Sequence, residues 1–260
     1  MYKMVVCDFF GTLINSEEAI PLSTMIELDR IRKEGIIFCI VTSKSLKVVA
    51  EYNRDFPFID YIVAFNGSYV YDMNKHKVIY DKGLNATKFK KICKLFEKRD
   101  MCFYTLDACN YTGKYRDNDY SEMVFDVDEF IEEKKNDIYK VKVFFEERQA
   151  LNEAVKLLES DDKLSYYIKK QGHVWVLEIY NGLNSKFTGI KKILDRRKLK
   201  LEDVLTICSS ESSYLLAKKS GNCYVMENGD VRLKKIVKNL TSSNEEKGVE
   251  KVIKKNFKSA

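Results

Sequence analysis

Short apolar runs rich in Val, Ile and Phe recur along the chain, separated by stretches whose apolar positions fall at helical spacing. Residues 3–7, 36–41 and 61–65 read as strands covered on both faces, because a continuous β-branched run leaves no polar side for water. Between them Met25, Leu28 and Ile31 keep a helical period until Gly35, with Thr24 and Glu27 spaced as a capping box. Leu46, Val49 and Ala50 mark a second helix, with residues 53–56 behind it. Residues 69–71 and 78–80 read as a hairpin. Strand and helix alternating in this way predict a right-handed, doubly wound parallel sheet.

The pattern changes after residue 80. A helix over 87–98 precedes a strand over 101–106, and Tyr139, Val141, Val143 and Phe145 alternate along another strand. Leu151, Ala154, Val155 and Leu158 set a further helix, followed by strands over 164–168 and 174–179. From residue 184 the first pattern resumes, with helices over 185–197 and 213–219, strands over 204–207 and 223–226, and two more helices. The expected organisation is an α/β core formed by residues 1–80 and 184–260, with an inserted α/β cap over 81–183.

With 260 residues, 45% hydrophobic and 32% charged, the chain is long enough for two well-buried cores and has a globular composition. No apolar run approaches the roughly 20 residues of a bilayer span, and the N-terminus lacks a signal-peptide layout. Seven cysteines, without a Cys-x-x-Cys pair or a histidine cluster, suit reduced thiols more than a disulfide framework or zinc site. A cytoplasmic protein is expected. The net charge of +6 raises nucleic-acid binding, but the bases lie at helical intervals on outward faces without interleaved aromatics. Residues 81–183 hold 18 Lys/Arg against 20 Asp/Glu, which leaves +8 for the remainder. Neither nucleic acid nor membrane is an expected partner. The run from Asp117 to Glu133 contains eight acids and no base, with Asp126, Asp128 and Glu129 placed to favour a helix N-terminus by its dipole. A partner surface on the cap is an alternative use for that run.

Candidate chemistry sits at strand ends. Asp8-x-Phe10-Gly-Thr-Leu closes the first strand, Thr42-Ser-Lys the second and Asn66-Gly the third. Asn184-Ser-Lys186 opens a helix, and Ile207-Cys-Ser209-Ser-Glu-Ser-Ser213 precedes another. In this order, and with the endings Val225-Met-Glu-Asn228 and 241–248, the chain resembles the haloacid dehalogenase superfamily over its whole length. Within that superfamily it is most similar to the Cof-type sugar-phosphate phosphatases.

That resemblance implies a nucleophile at Asp8, a phosphate-binding hydroxyl at Thr42 and a phosphate-binding lysine at Lys186. It implies phosphate contacts from Gly11, Thr12, Ser43 and Asn66, although Asn66-Gly67 is first of all a turn signal. It also implies departures. Phe10 stands where the family has its general acid and base, and a phenyl ring transfers no proton. Ser209 and Ser213 stand where late acids clamp Mg²⁺, which leaves Asp8 as a weak metal ligand; Glu211, in the same loop, swinging in to replace them is the alternative. General acid–base help is worth roughly 10²–10⁴-fold, and magnesium prefers hard oxygen ligands with one or two carboxylates. The expectation is a catalytically impaired phosphatase relative, a pseudoenzyme, that binds no metal tightly. It retains a pocket for a small phosphorylated metabolite or for inorganic phosphate or sulfate. The alternatives are a buried Asp8–Lys186 ion pair with no ligand, a functional but atypical phosphatase, and an interaction protein that uses the cap.

Overall fold

A computed structural model describes residues 2–53, 58–116, 121–134 and 137–258. Residues 54–56 of the segment behind the second helix, and Asp117 and Asp119 of the acid run, lie outside the described residues. The chain opens with β1 (Met4–Asp8), α1 (Leu22–Lys33), β2 (Ile37–Val41), α2 (Leu46–Asn53), β3 (Tyr61–Ala64), β4 (Tyr69–Asp72) and β5 (Lys77–Asp81). It continues through α3 (Ala86–Leu95), β6 (Met101–Tyr104), β7 (Cys109–Thr112), β8 (Glu122–Met123), α4 (Val127–Lys134) and β9 (Lys140–Phe145). Then come α5 (Arg148–Glu159), β10 (Leu164–Gln171), β11 (Val174–Asn181), α6 (Lys186–Arg197), β12 (Val204–Cys208) and α7 (Tyr214–Lys219). The last elements are β13 (Cys223–Met226), α8 (Val231–Ile236), β14 (Asn239–Thr241) and α9 (Gly248–Asn256).

Two compact units result. One comprises Met1–Lys44, Val48–Tyr80 and Ser185–Ala260; the other comprises Asp81–Asn184 together with Ser45–Lys47. In the first unit the sheet order is β14-β13-β12-β1-β2-β3-β4-β5, parallel from β14 to β3, with β4 antiparallel to β3. Every residue of β1 is buried, as expected of a strand covered on both faces. Met4, Val6, Cys39 and Val41 face Ile190, Ile193 and Leu194 of α6 and Leu216 of α7. Val5 and Cys7, which alternate to the other face, are equally buried.

The first helix starts earlier than its capping pattern suggests. Pro21 occupies the N-cap with φ −56° and no side-chain cap, so Thr24 falls inside the first turn. Its buried hydroxyl has no hydrogen-bond partner among the described residues, and Glu27 pairs with Arg30 at 2.9 Å rather than reaching back to the helix start. The capping box is therefore absent. A true one occurs on α6, where Ser185 Oγ accepts from Thr188 N–H and Thr188 Oγ1 accepts from Ser185 N–H.

In the second unit a sheet ordered β10-β11-β9-β6-β7-β8 packs one face on α3, α4 and α5 through Phe89, Phe103, Phe130, Val141, Val143 and Leu151. Asp126 does cap α4, accepting from Glu129 N–H at 2.9 Å. Tyr180 is buried, and Trp175 packs against the unit's core. On the opposite face of β9, Lys140 and Lys142 are buried as well. Glu178 sits opposite Lys142 in register and accepts from Lys169 Nζ and Tyr180 O–H. Burial pushes the Glu178 carboxyl up, but the charges of Lys140, Lys169 and Lys142 outweigh it and hold the group at about 2.

Candidate active site

Parallel pairing of β12, β1, β2 and β3 places the loops after these strands side by side at one sheet edge, the usual ligand position in doubly wound folds. Asp8 is the last residue of β1, Thr42 follows β2, Asn66 follows β3 and Ser209 follows β12. Lys186 arrives from the first turn of α6. The approach of that helix depends on Gly67, whose φ is +98°; a Cβ there would lie 1.9 Å from the carbonyl oxygen of Ser185.

Asp8 and Lys186 form a closed ion pair. Their side chains are 2% and 3% exposed, and Lys186 Nζ lies 2.8 Å from Asp8 Oδ1. Ser213 Oγ is 2.7 Å from the same oxygen. Asp8 Oδ2 accepts the backbone N–H groups of Ser209 and Ser210, each at 3.0 Å, and the Ser210 hydroxyl, also at 3.0 Å. Lys186 directs its remaining N–H bonds to Ser210 Oγ at 2.8 Å and Ser213 Oγ at 3.0 Å. An ammonium has three donors and a carboxylate about four acceptor positions; both sets are filled within this cluster. Burial pushes the Asp8 carboxyl up, while Lys186, Ser213 and the Ser210 amide pull it down, and the net position is below the ordinary carboxylate value.

The other expected residues are present nearby with different partners. Thr12 Oγ1 donates to Ser209 Oγ at 2.8 Å, so the Ser209 side chain faces the 9–13 turn while only its amide meets Asp8. Thr42 is buried, and its hydroxyl accepts from Lys44 N–H at 3.1 Å. Ser43 is half-buried beside it. Asn66 is buried with φ 53°, between Phe65 at 47° and Gly67 at 98°, so the turn reading of Asn-Gly holds. Neither amide atom of Asn66 has a hydrogen-bond partner among the described residues. Phe10 packs edge-on against Phe9 at 5.0 Å and Tyr52 at 6.0 Å, and Lys44 Nζ lies 5.9 Å from its ring centre. Glu211 is held by Arg232 at 2.6 Å.

Some contributors were missed by the sequence reading. Ser210 supplies an amide and a hydroxyl to Asp8, and the only sequence signal was its place in a serine-rich loop after a parallel strand. Asn228 Nδ2 donates to the Gly11 carbonyl at 2.9 Å. Glu245 accepts from Ser16 N–H at 2.7 Å, and Asn244 Nδ2 donates to the Ile14 carbonyl at 2.9 Å. These contacts fasten the loop after β1 to the segments after β13 and β14.

The donor set does not suit magnesium. A single carboxylate stands among serine hydroxyls, with an ammonium at contact distance, whereas Mg²⁺ wants six hard oxygens and usually one or two carboxylates. Among the described residues no group of three or more His, Cys, Asp or Glu is placed to hold a metal ion. Lys186 is the cation that Asp8 already has.

An aspartate ending the first strand of a doubly wound sheet is thus faced by a lysine from a later helix, at the sheet edge where such folds bind ligands. The chain belongs to the haloacid dehalogenase-like hydrolase family, which matches residues 5–253. It is 21% identical to a putative phosphatase of Haemophilus influenzae, over 99% of each chain. It is likewise 21% identical to the 5-amino-6-(5-phospho-D-ribitylamino)uracil phosphatase of Bacillus subtilis, covering 97% of this chain and 94% of that one. A solved haloacid dehalogenase-like hydrolase from Bacteroides thetaiotaomicron superposes with a TM-score of 0.84 at 17% identity, covering 99% of this chain and 100% of the other. Among the described residues no helix is long and apolar enough to cross a membrane.

Proposed function

We propose that this chain is a catalytically impaired member of its family, a pseudoenzyme whose nucleophile position has become half of a buried ion pair. The observation that carries the reading is the 2.8 Å contact between Lys186 Nζ and Asp8, enclosed by Ser210 and Ser213. An attacking carboxylate needs a free oxygen lone pair, and the Asp8 oxygens are occupied by donors. Phe10 supplies no proton to a leaving oxygen and takes none from water.

In this reading the cluster keeps a site for a phosphate-sized anion. An incoming phosphate competes with Asp8 for Lys186 and gains the half-buried Gly11 and Ser43, with the buried Thr12, Thr42 and Asn66 side chains behind them. The ligand class is a small phosphorylated metabolite, in line with the phosphorylated substrate named for the Bacillus relative, or inorganic phosphate or sulfate. Seven free thiols suit a reducing, cytoplasmic setting.

The test is a pair of titrations. Mg²⁺ at low millimolar concentration leaves the melting temperature unchanged, because a ligand stabilises only the state it prefers. Phosphate in the presence of chelator shifts the amide resonances of Gly11 and Thr12, and Lys186→Ala removes the shift. A magnesium-dependent stabilisation that vanishes in Asp8→Asn would support the alternative, an atypical working phosphatase. Silence of those amides toward phosphate would leave the ion pair with no ligand.

A further inference from the structure

The second unit carries an acid-lined cavity of about 620 Å³ that the proposed function leaves unused. Among its described lining residues are seven carboxylates and one lysine, on a chain whose net charge is +6. Three of the acids have structural work. Asp81 accepts from Tyr139 O–H at 2.8 Å, Asp126 caps α4, and Glu133 pairs with Lys134, the lone base. The carboxylates of Asp107, Glu122, Glu129 and Asp137 have neither hydrogen bond nor ion pair among the described residues, and all four are exposed. Lys47 Nζ approaches Asp107 only at its backbone carbonyl. Concentrating like charges in one depression raises the energy of the folded unit through self-repulsion, which a cationic ligand relieves.

Further observations at the same place point to a ligand. Asn110 lines the cavity at 7% exposure, and its side-chain oxygen, an acceptor, is buried without a partner among the described residues. Phe125 is 91% exposed and Met123 44% exposed on the same lining. Large apolar side chains gain nothing from water in that position, and an aromatic face beside carboxylates suits a guanidinium with an aliphatic stem. A bare metal ion does not fit, since among the described residues no three of these acids converge on a point.

We infer that this cavity is a docking site for an arginine- or lysine-rich segment of a partner protein. Glu122, Glu129, Asp107 and Asp137 receive its cations, Asn110 accepts one N–H donor, and Phe125 with Met123 covers the side-chain stems. Charge complementarity selects the partner's chemistry. The apolar rim distinguishes a peptide, whose stems need cover, from a small polyamine.

Fluorescence anisotropy of a labelled hexa-arginine peptide against the full-length protein tests the inference. Binding is expected to weaken as salt rises. It is expected to fall more than tenfold in Glu122→Gln/Glu129→Gln/Asp137→Asn and severalfold in Phe125→Ala. The triple variant Glu97→Gln/Asp162→Asn/Glu202→Gln, which removes the same number of exposed acids elsewhere, should bind as the unaltered chain does. Circular dichroism confirms that each variant is folded, and the cavity triple should melt no lower than the parent because repulsion is removed. Equal losses in both triples would reduce the effect to net charge and overturn the docking site. Spermine competing as well as the peptide, with Phe125→Ala without effect, would overturn the peptide in favour of a polyamine. Self-association lost in the cavity triple would overturn it in favour of a second copy of this chain.

Discussion

Lys186 Nζ and Asp8 Oδ1 stand 2.8 Å apart with both side chains almost wholly excluded from solvent, and neither ion has another charged partner in the hydrogen-bonded cluster. Removing one member of a buried pair strands the other. Lys186→Met is therefore expected to lose about 3–5 kcal/mol of stability in chemical denaturation. Asp8→Asn/Lys186→Met should lose clearly less than the two single losses added together. Strict additivity would mean that the two charges do not stabilise each other.

The cap unit provides a separate pH signal. The Glu178 carboxyl is held at about 2 in the folded chain, below its unfolded value near ~4.3. Its contribution is fully present above the unfolded value and is lost as pH falls from about 4 toward 2. Trp175, the single tryptophan, lies on the same strand and reports local unfolding. Its urea transition should move to lower urea between pH 6 and pH 3, and Glu178→Gln should reduce that movement while lowering stability at pH 6.

Gly67 is the close-approach point of the site. A methyl group there meets the Ser185 carbonyl at 1.9 Å, on a backbone with φ +98°. Gly67→Ala is expected to cost more than about 3 kcal/mol, because overpacking and left-handed strain act together. A Tm equal to that of the parent would show that α6 shifts freely.

Thr24 tests the corrected helix start. Its hydroxyl is buried without a partner among the described residues, and such a group costs roughly 1–3 kcal/mol when left unsatisfied. Thr24→Val should be neutral or stabilising by about 1 kcal/mol in thermal melts. A capping role would instead make it destabilising.

Much of the architecture was legible because strand and helix periods differ. The runs at 3–7, 36–41 and 61–65 became β1, β2 and β3 with ends shifted by one residue. Where burial does not follow the apolar pattern, the sequence misled or was silent. β8 and β14 are short and largely exposed, so no apolar period announces them. Lys140 and Lys142 read as the polar half of an alternating strand, yet both are buried by a face whose charge balance depends on Glu178, 36 residues beyond Lys142. At the site, Asp8 and Lys186 were visible as types at strand and helix ends. Which serine atoms meet Asp8 depends on how the 209–213 loop folds back: the resemblance marked Ser209 and Ser213 as replacements for acids, and the hydroxyls that reach Asp8 are those of Ser210 and Ser213.

Restoring the missing acids probes the same loop. Phe10→Asp alone should recover little activity, since Lys186 and the serines still occupy Asp8. Phe10→Asp/Ser209→Asp/Ser213→Asp should gain magnesium-dependent phosphatase activity well beyond the product of the single effects, because such groups act as a unit. Activity of the triple variant equal to that product would contradict this account of the loop.

The most direct measurement is the time course of leaving-group release by the unaltered protein, followed beside the phosphate retained on the chain. Acetyl phosphate and an aryl phosphate suit it, because acetate and a phenolate depart without a proton donor. With Phe10 in place, no base activates water against a phosphorylated Asp8. The expected result, with or without Mg²⁺, is release of acetate or phenolate that never exceeds about one equivalent per chain and then stops, with no free phosphate formed from Asp8. Steady multiple turnover that is abolished in Asp8→Asn would contradict the reading of the Asp8–Lys186 pair as a closed, non-hydrolytic site.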